Sequence, residues 1–364
     1  MKKMKHLLAV LLTLALALSL LAGCAGTPVS TVDTTAAPET TAAPETTAAP
    51  ETTEAPAAAM VKTGLSISTD LSGSKSASAE EDGQAKYDVT VVAVTVRDDG
   101  VIESCVIDSI PATVKFSAAG VITSDLTADV PTKGEMGEAY GMKAYAGSKY
   151  EWNEQVAALA AYAVGKTVDE LKNGAVDETG HAADADLAST ASIYLGGYVA
   201  GIEAAVNNAQ HLGAQSGDKL VLATVNSLGG SKDATAEKAG TAQLDAYITA
   251  VTMQGDVISS CYIDSVQAKI AFDAAGTVTT DLTAPVLTKN ELGENYGMKA
   301  YAGSKYEWNE QAAAFAAYVT GKTPAEVAGI AVNEKAAPED PDLAATVTIS
   351  IGDFQALIAK AAAQ

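Results

Sequence analysis

Sixteen consecutive residues, Tyr140-Gly-Met-Lys-Ala-Tyr-Ala-Gly-Ser-Lys-Tyr-Glu-Trp-Asn-Glu-Gln155, recur letter for letter as residues 296–311. Whatever one copy forms, the chain forms twice. The offset of 156 positions also brings Cys105 onto Cys261, Lys133 onto Lys289 and Leu187 onto Leu343. The chain is therefore two copies of one unit, at residues 60–212 and 217–364. Each holds a full set of strands and helices, so each is expected to fold alone.

Within a unit the order is strands first, helices later. A first strand is expected at residues 64–68 and again near 220–225. A long β-branched strand follows at 87–96 and 244–253. The next turn is Asp98-Asp99-Gly100 in one copy and Gly255-Asp256 in the other. Both are hairpin solutions, so the one-residue difference supports a hairpin. The return strand runs to Phe116 and Phe272. Short strands are expected at 121–123 and 277–279, and again at 190–195 and 346–351. Trp152, Val156, Leu159 and Ala163 share one helical face, as do Trp308, Ala312, Phe315 and Val319. Thr167 with Glu170, and Thr323 with Glu326, read as capping boxes that open another short helix. Alanine-rich helices close the units at 199–208 and 354–363. The expected fold class is α+β: two tandem antiparallel β-meanders packed with helices.

The first 23 residues pair Lys2, Lys3 and Lys5 with an apolar run and end Leu21-Ala22-Gly23-Cys24, which reads as a lipoprotein signal with Cys24 as the lipidated residue. Residues 24–59 follow as a Thr/Ala/Pro/Glu-rich stalk, with Pro38, Pro44, Pro50 and Pro56 at six-residue intervals. No core-forming residue accompanies them, so the stalk is expected to stay disordered. The expected location is the extracytoplasmic face of a bacterial membrane, held there by the lipid. Net charge is −22. That balance disfavours nucleic acid as a partner.

Several motifs fail on inspection. Gly165-Lys166-Thr167 lacks the upstream glycine of a phosphate loop, since Ala160 stands there. The acidic turns at Asp98-Asp99, Asp184/Asp186 and Asp340/Asp342 lack the ligand spacing of a calcium loop. His6, His181 and His211 have no counterparts in the other copy, so no catalytic or metal site is expected. Cys105 and Cys261 are equivalent positions. They read as two buried strand thiols, with a bridge between them as the alternative.

The repeated stretch and its approach hold the candidate ligand-binding residues. These are Lys133, Glu135, Tyr140, Lys143, Tyr145 and Lys149, with Lys289, Glu291, Tyr296, Lys299, Tyr301 and Lys305 as their equivalents. Tyrosine area, lysine donors and glycine-flexed backbone suit a binding loop. Trp152 and Trp308 read as core.

The lipobox and the Thr-Pro-Glu stalk resemble surface lipoproteins of Gram-positive bacteria. The Lys-x-Glu-Leu-Gly-x-x-Tyr-Gly-Met-Lys and Glu-Trp-x-Glu-Gln strings resemble those of an uncharacterised domain of clostridial-type lipoproteins. The hairpin with a central Asp-Gly turn is loosely similar to extracellular FMN-binding domains. Their phosphate-bearing threonine motif has its nearest string here at residues 231–235, which lacks the glycine before alanine and precedes the hairpin. The leading expectation is a lipid-anchored, extracytoplasmic, non-enzymatic protein whose two similar domains bind a small molecule or surface partner. A flavin-associated electron-transfer lipoprotein, with FMN as its cofactor, is the alternative, and a purely structural surface protein the third.

Overall fold

The computed structural model describes residues 59–364. The signal, Cys24 and nearly all of the stalk lie outside the described residues. In the first repeat three strands, β1 (Lys62–Asp70), β2 (Gly83–Val96) and β3 (Ile102–Phe116), precede six helices. These are α1 (Lys133–Met136), α2 (Met142–Ala146), α3 (Trp152–Ala163), α4 (Val168–Gly174), α5 (Ala185–Thr190) and α6 (Gly196–Asn207). The second repeat follows suit, with β4 (Lys219–Ser227), β5 (Gly240–Gln254) and β6 (Val257–Phe272). Its helices are α7 (Lys289–Leu292), α8 (Met298–Ala302), α9 (Trp308–Val319), α10 (Pro324–Ala328), α11 (Pro341–Ala344) and α12 (Gly352–Ala362). Each repeat is thus an antiparallel meander in the order β1-β2-β3 or β4-β5-β6, followed by helices. The α+β class and the tandem meanders stand.

Two expected strands are absent. Residues 121–123 and 277–279 make only one bridge each, Ile122 to Phe116 and Val278 to Phe272. Just beyond them the hydroxyls of Ser124 and Thr280, rather than a strand carbonyl, accept from the amides of Lys115 and Ala271, and the pairing stops. Of the segments expected as strands, 190–195 begins on the last residue of α5 and is irregular from Ala191, and 346–351 is irregular. There Gln155 accepts from the amides of Ser192 and Ile193, and Gln311 from those of Thr348 and Ile349, in place of a strand partner. The capping boxes at Thr167 and Thr323 form as expected.

The period-2 alternation of β2 decides the layering. Ala85, Tyr87, Val89, Val91 and Ala93 point one way, into a core shared with Leu244, Ala246, Ile248 and Ile270 of the other repeat. Val92 and Val94 point the other way, under α3 and α6. The two sheets therefore pack face to face, with helices outside each. Phe116 and Phe272, equivalent residues, stack on each other with ring centroids 4.1 Å apart and planes within 3°. Hydrogen bonds across the seam are reciprocal as well. Ala77 N donates to Gly276 O and Ala234 N to Gly120 O, each at 2.8 Å. Such pairing of equivalent atoms is the mark of a two-fold relation between the copies.

The repeats remain two sequence units, but all described residues fall in one compact unit with this common core. Folding of each half alone therefore does not follow from the structure. Cys105 and Cys261 are both free thiols, half-buried and buried, and burial pushes each up to about 12. Among the described residues, no helix is long and apolar enough to cross a membrane.

Candidate binding clefts

The outer face of β2 changes character along its length. Val92 and Val94 are buried under helices, whereas Gln84, Lys86, Asp88 and Thr90 are only half-buried. The repeated stretch sits over that boundary. Thr132 accepts from Glu135 N at 3.1 Å, and Glu135 accepts from Thr132 N at 3.0 Å, which starts α1. Asp108 on β3 accepts from Gly134 N at 2.9 Å and pins the turn to the sheet. Burial raises the carboxyl of Asp108, and pushes its equivalent Asp264 up to about 6.

The chain then turns at Gly141, whose φ of +84° suits glycine. Glu151, 3% exposed, holds α2 from below by accepting from Met142 N at 2.8 Å and Lys143 N at 3.2 Å. Gln155, fully buried, donates to Tyr150 O at 3.0 Å and accepts from Ser192 N at 2.8 Å. Glu307 and Gln311 repeat these bonds in the second copy. Much of the sequence identity is thereby explained as scaffold: these side chains satisfy loop amides that would otherwise be buried without partners.

Each copy of the stretch roofs a cavity, of about 630 Å³ in the first repeat and about 540 Å³ in the second. Both are lined by the same tyrosine, glycine, methionine and tryptophan of the repeat: Tyr140, Gly141, Met142 and Trp152, or Tyr296, Gly297, Met298 and Trp308. Tyr145 and Tyr301 stand on the rims, 89% and 91% exposed.

The candidate residues divide. Tyr140, Tyr145, Tyr296 and Tyr301 line the cavities, as do Lys133 and Lys289. The two lysines are nevertheless buried, at 9% and 4% exposed. Lys133 lies over the rings of Tyr140 and Trp152 at 5.2 and 5.3 Å, with Asp88 at 3.8 Å. Lys289 lies over Tyr247, Tyr296 and Trp308 at 4.7, 5.2 and 4.8 Å. No carboxylate among the described residues is within ion-pair distance of it. The other candidates do not line the cavities and have partners within the protein. Glu135 is spent on its cap and an ion pair with Lys360, and Glu291 on its cap. Lys143 pairs with Glu154 at 2.7 Å and Lys299 with Glu310 at 2.8 Å. Lys149 and Lys305 cover the neighbouring Tyr150 and Tyr306.

Burial pushes Lys289 down to about 8, against an ordinary 10.5, while nearby carboxylates act the other way. Below about pH 8 the amine is charged in both folded and unfolded chains, and the cost of burying it is fully present. Between pH 8 and 10.5 the unfolded chain binds more protons than the folded one, so stability rises with pH. Denaturant titrations of the native chain and of Lys289→Met should therefore differ by an amount that changes across this window. The difference should move in favour of the native chain by on the order of 1–3 kcal/mol, the ring faces offsetting part of the full shift. A flat difference would mean the amine is not desolvated.

The sequence reading missed the walls that differ between copies. Thr90, Tyr194, Gly197 and Tyr198 line the first cavity; Tyr247, Ser350, Asp353 and Phe354 take their places in the second. No repeat identity marks them, because they vary. Gln267, which lines the second cavity, replaces Pro111. A third cavity, of about 640 Å³, lies beside the inter-repeat linker against Ala313, Ala316 and Ala317. It lies outside the repeated loop, and Cys261 on its wall is buried, which keeps the thiol protonated.

The string at 231–235 lies at the seam. Asp233 accepts from Ile122 N at 2.7 Å, and Thr235 accepts from the amides of its own turn. Among the described residues no group of histidines, cysteines and carboxylates is placed to hold a metal. No family model, curated protein or solved structure matches the chain.

Proposed function

We infer that this is a lipid-anchored, extracytoplasmic protein that presents two homologous, non-enzymatic binding clefts to a small molecule or surface partner. One observation carries the reading. Glu151, Gln155, Trp152 and their equivalents have structural work that explains their repetition, whereas Tyr145 and Tyr301 do not. A tyrosine about nine-tenths exposed adds almost nothing to a core. Yet it is kept in both copies, on the rim of a cavity large enough for a small ligand. Exposed ring area with a polar tip is what binding surfaces use.

A thermal-shift screen of small molecules against the full chain tests this. Ligands of the clefts should raise the melting temperature of the native chain by mass action, and the rise should vanish in Tyr145→Ala/Tyr301→Ala. Hits that shift both chains equally would place binding elsewhere. An absorption spectrum of the natively purified protein decides the flavin alternative: a colourless protein removes it.

A further inference from the structure

The rim tyrosines are seated on glycines. A Cβ on Gly141 would run into the ring of Tyr145, and one on Gly297 would come within 2.5 Å of the ring of Tyr301. Tyr194, also on the first rim and 59% exposed, lies against Gly180 and Gly196 with the hydroxyl end of its ring. A Cβ on Gly196 would be 2.6 Å from its hydroxyl oxygen. Tyr145 and Tyr301 meet their glycines at the ring edge, through Cδ2 and Cε2, which limits how each ring can turn and leaves its faces exposed for binding. The first cavity has two such platforms. The second has one, because Ser350 replaces Tyr194.

The charges beside the platforms are balanced rather than left in excess: Lys289 has no ion-pair partner among the described residues, but Asp353 lines the same cavity, and Asp245 and Asp264 act on the amine as well. Lys143 and Lys299 are neutralised by glutamates, and Lys133 has Asp88 beside it. Tyr198 accepts from Trp152 Nε1 at 2.9 Å, so its own proton is free to donate into the cavity. In the second repeat Phe354 stands in its place, and among the described residues the indole N–H of Trp308 has no protein acceptor. Asp353 and Gln267 supply acceptors there. The net charge of −22 further disfavours anionic ligands.

We propose that both clefts bind the sugar rings of a neutral polysaccharide, with one pyranose face on each seated tyrosine. The proposal rests on the binding reading above and names its ligand class. A sugar ring offers an apolar C–H face to an aromatic platform and a rim of hydroxyls to neutral donors and acceptors.

Affinity electrophoresis of the full chain tests it, in gels containing amylopectin, hydroxyethylcellulose, xylan or galactomannan, with polygalacturonate as the anionic comparator. At least one neutral polymer should retard the native chain. Tyr145→Ala, Tyr194→Ala and Tyr301→Ala should each weaken retardation about two- to tenfold, the worth of one aromatic contact. The triple variant should migrate as in a plain gel. The proposal is overturned if no neutral polymer retards the native chain, if only polygalacturonate does, or if the triple variant is retarded equally. Tyrosine-dependent hits in the thermal-shift screen that are not saccharides would overturn this proposal alone and leave the binding reading standing.

Discussion

Phe116→Ala is expected to destabilise both repeats, not only the one that carries it. The ring is fully buried and stacks on Phe272 across the seam. Truncating a buried phenylalanine costs about 3–5 kcal/mol, from lost transfer energy and the cavity left behind. Because the residues around it come from both sheets, the loss falls on a core that neither repeat owns. The single tryptophan in each repeat reports on it separately. In Trp152→Phe and Trp308→Phe backgrounds, denaturant curves followed by the remaining tryptophan should share one midpoint. Phe116→Ala should lower both midpoints together. A fall in the Trp152 signal with the Trp308 midpoint unmoved would mean that the repeats are independent bodies.

The second large effect concerns the linker. A protease site inserted between Ser216 and Gly217 falls on exposed backbone, after the bonds from Val61 N to Ala214 O and from Thr63 N to Gln210 O. Cutting there should leave the two halves bound to each other. Separation would expose the inner faces of both sheets, including Val89, Val91, Ile110, Leu244, Ile248 and Ile270, all fully buried in the intact chain. Apolar area of that kind does not stay exposed on stable monomers. Size-exclusion chromatography under native conditions should give one species containing both fragments. Two separate, folded monomers would contradict the shared core and restore the picture of two self-sufficient domains.

The architecture within a repeat was legible because it is written in short-range patterns. The alternation in β2 and β5, the helical stripe from Trp152 and the Thr-x-x-Glu boxes each report local geometry. What was not legible is the pairing of the two inner faces. Alternation says that β2 has an apolar face, but not whether helices or a second sheet will cover it. Here the outer residues Val92 and Val94 meet helices and the inner Tyr87 to Ala93 set meets the other repeat.

The candidate site was legible by half. Identity between the copies pointed at the right loop. It could not separate Tyr145, which is exposed, from Glu151 and Gln155, which are buried and hold the loop together. Nor could it separate Lys143, which pairs with Glu154 one turn into the next helix, from a free cation. Tyr194 and Tyr198 were out of reach, because their place in the cleft depends on an irregular segment that the sequence pattern presented as a strand.

The claim that the exposed tyrosines are surface and the tryptophan beneath them is scaffold is tested most directly by thermal melts of Tyr145→Ala/Tyr301→Ala and of Trp152→Ala. The double tyrosine variant should melt within about 1 kcal/mol of the native chain, as surface substitutions do. Trp152→Ala should lose about 3–5 kcal/mol. A double tyrosine variant that falls as far as Trp152→Ala would make the loop scaffold throughout, and the binding clefts would have to be given up.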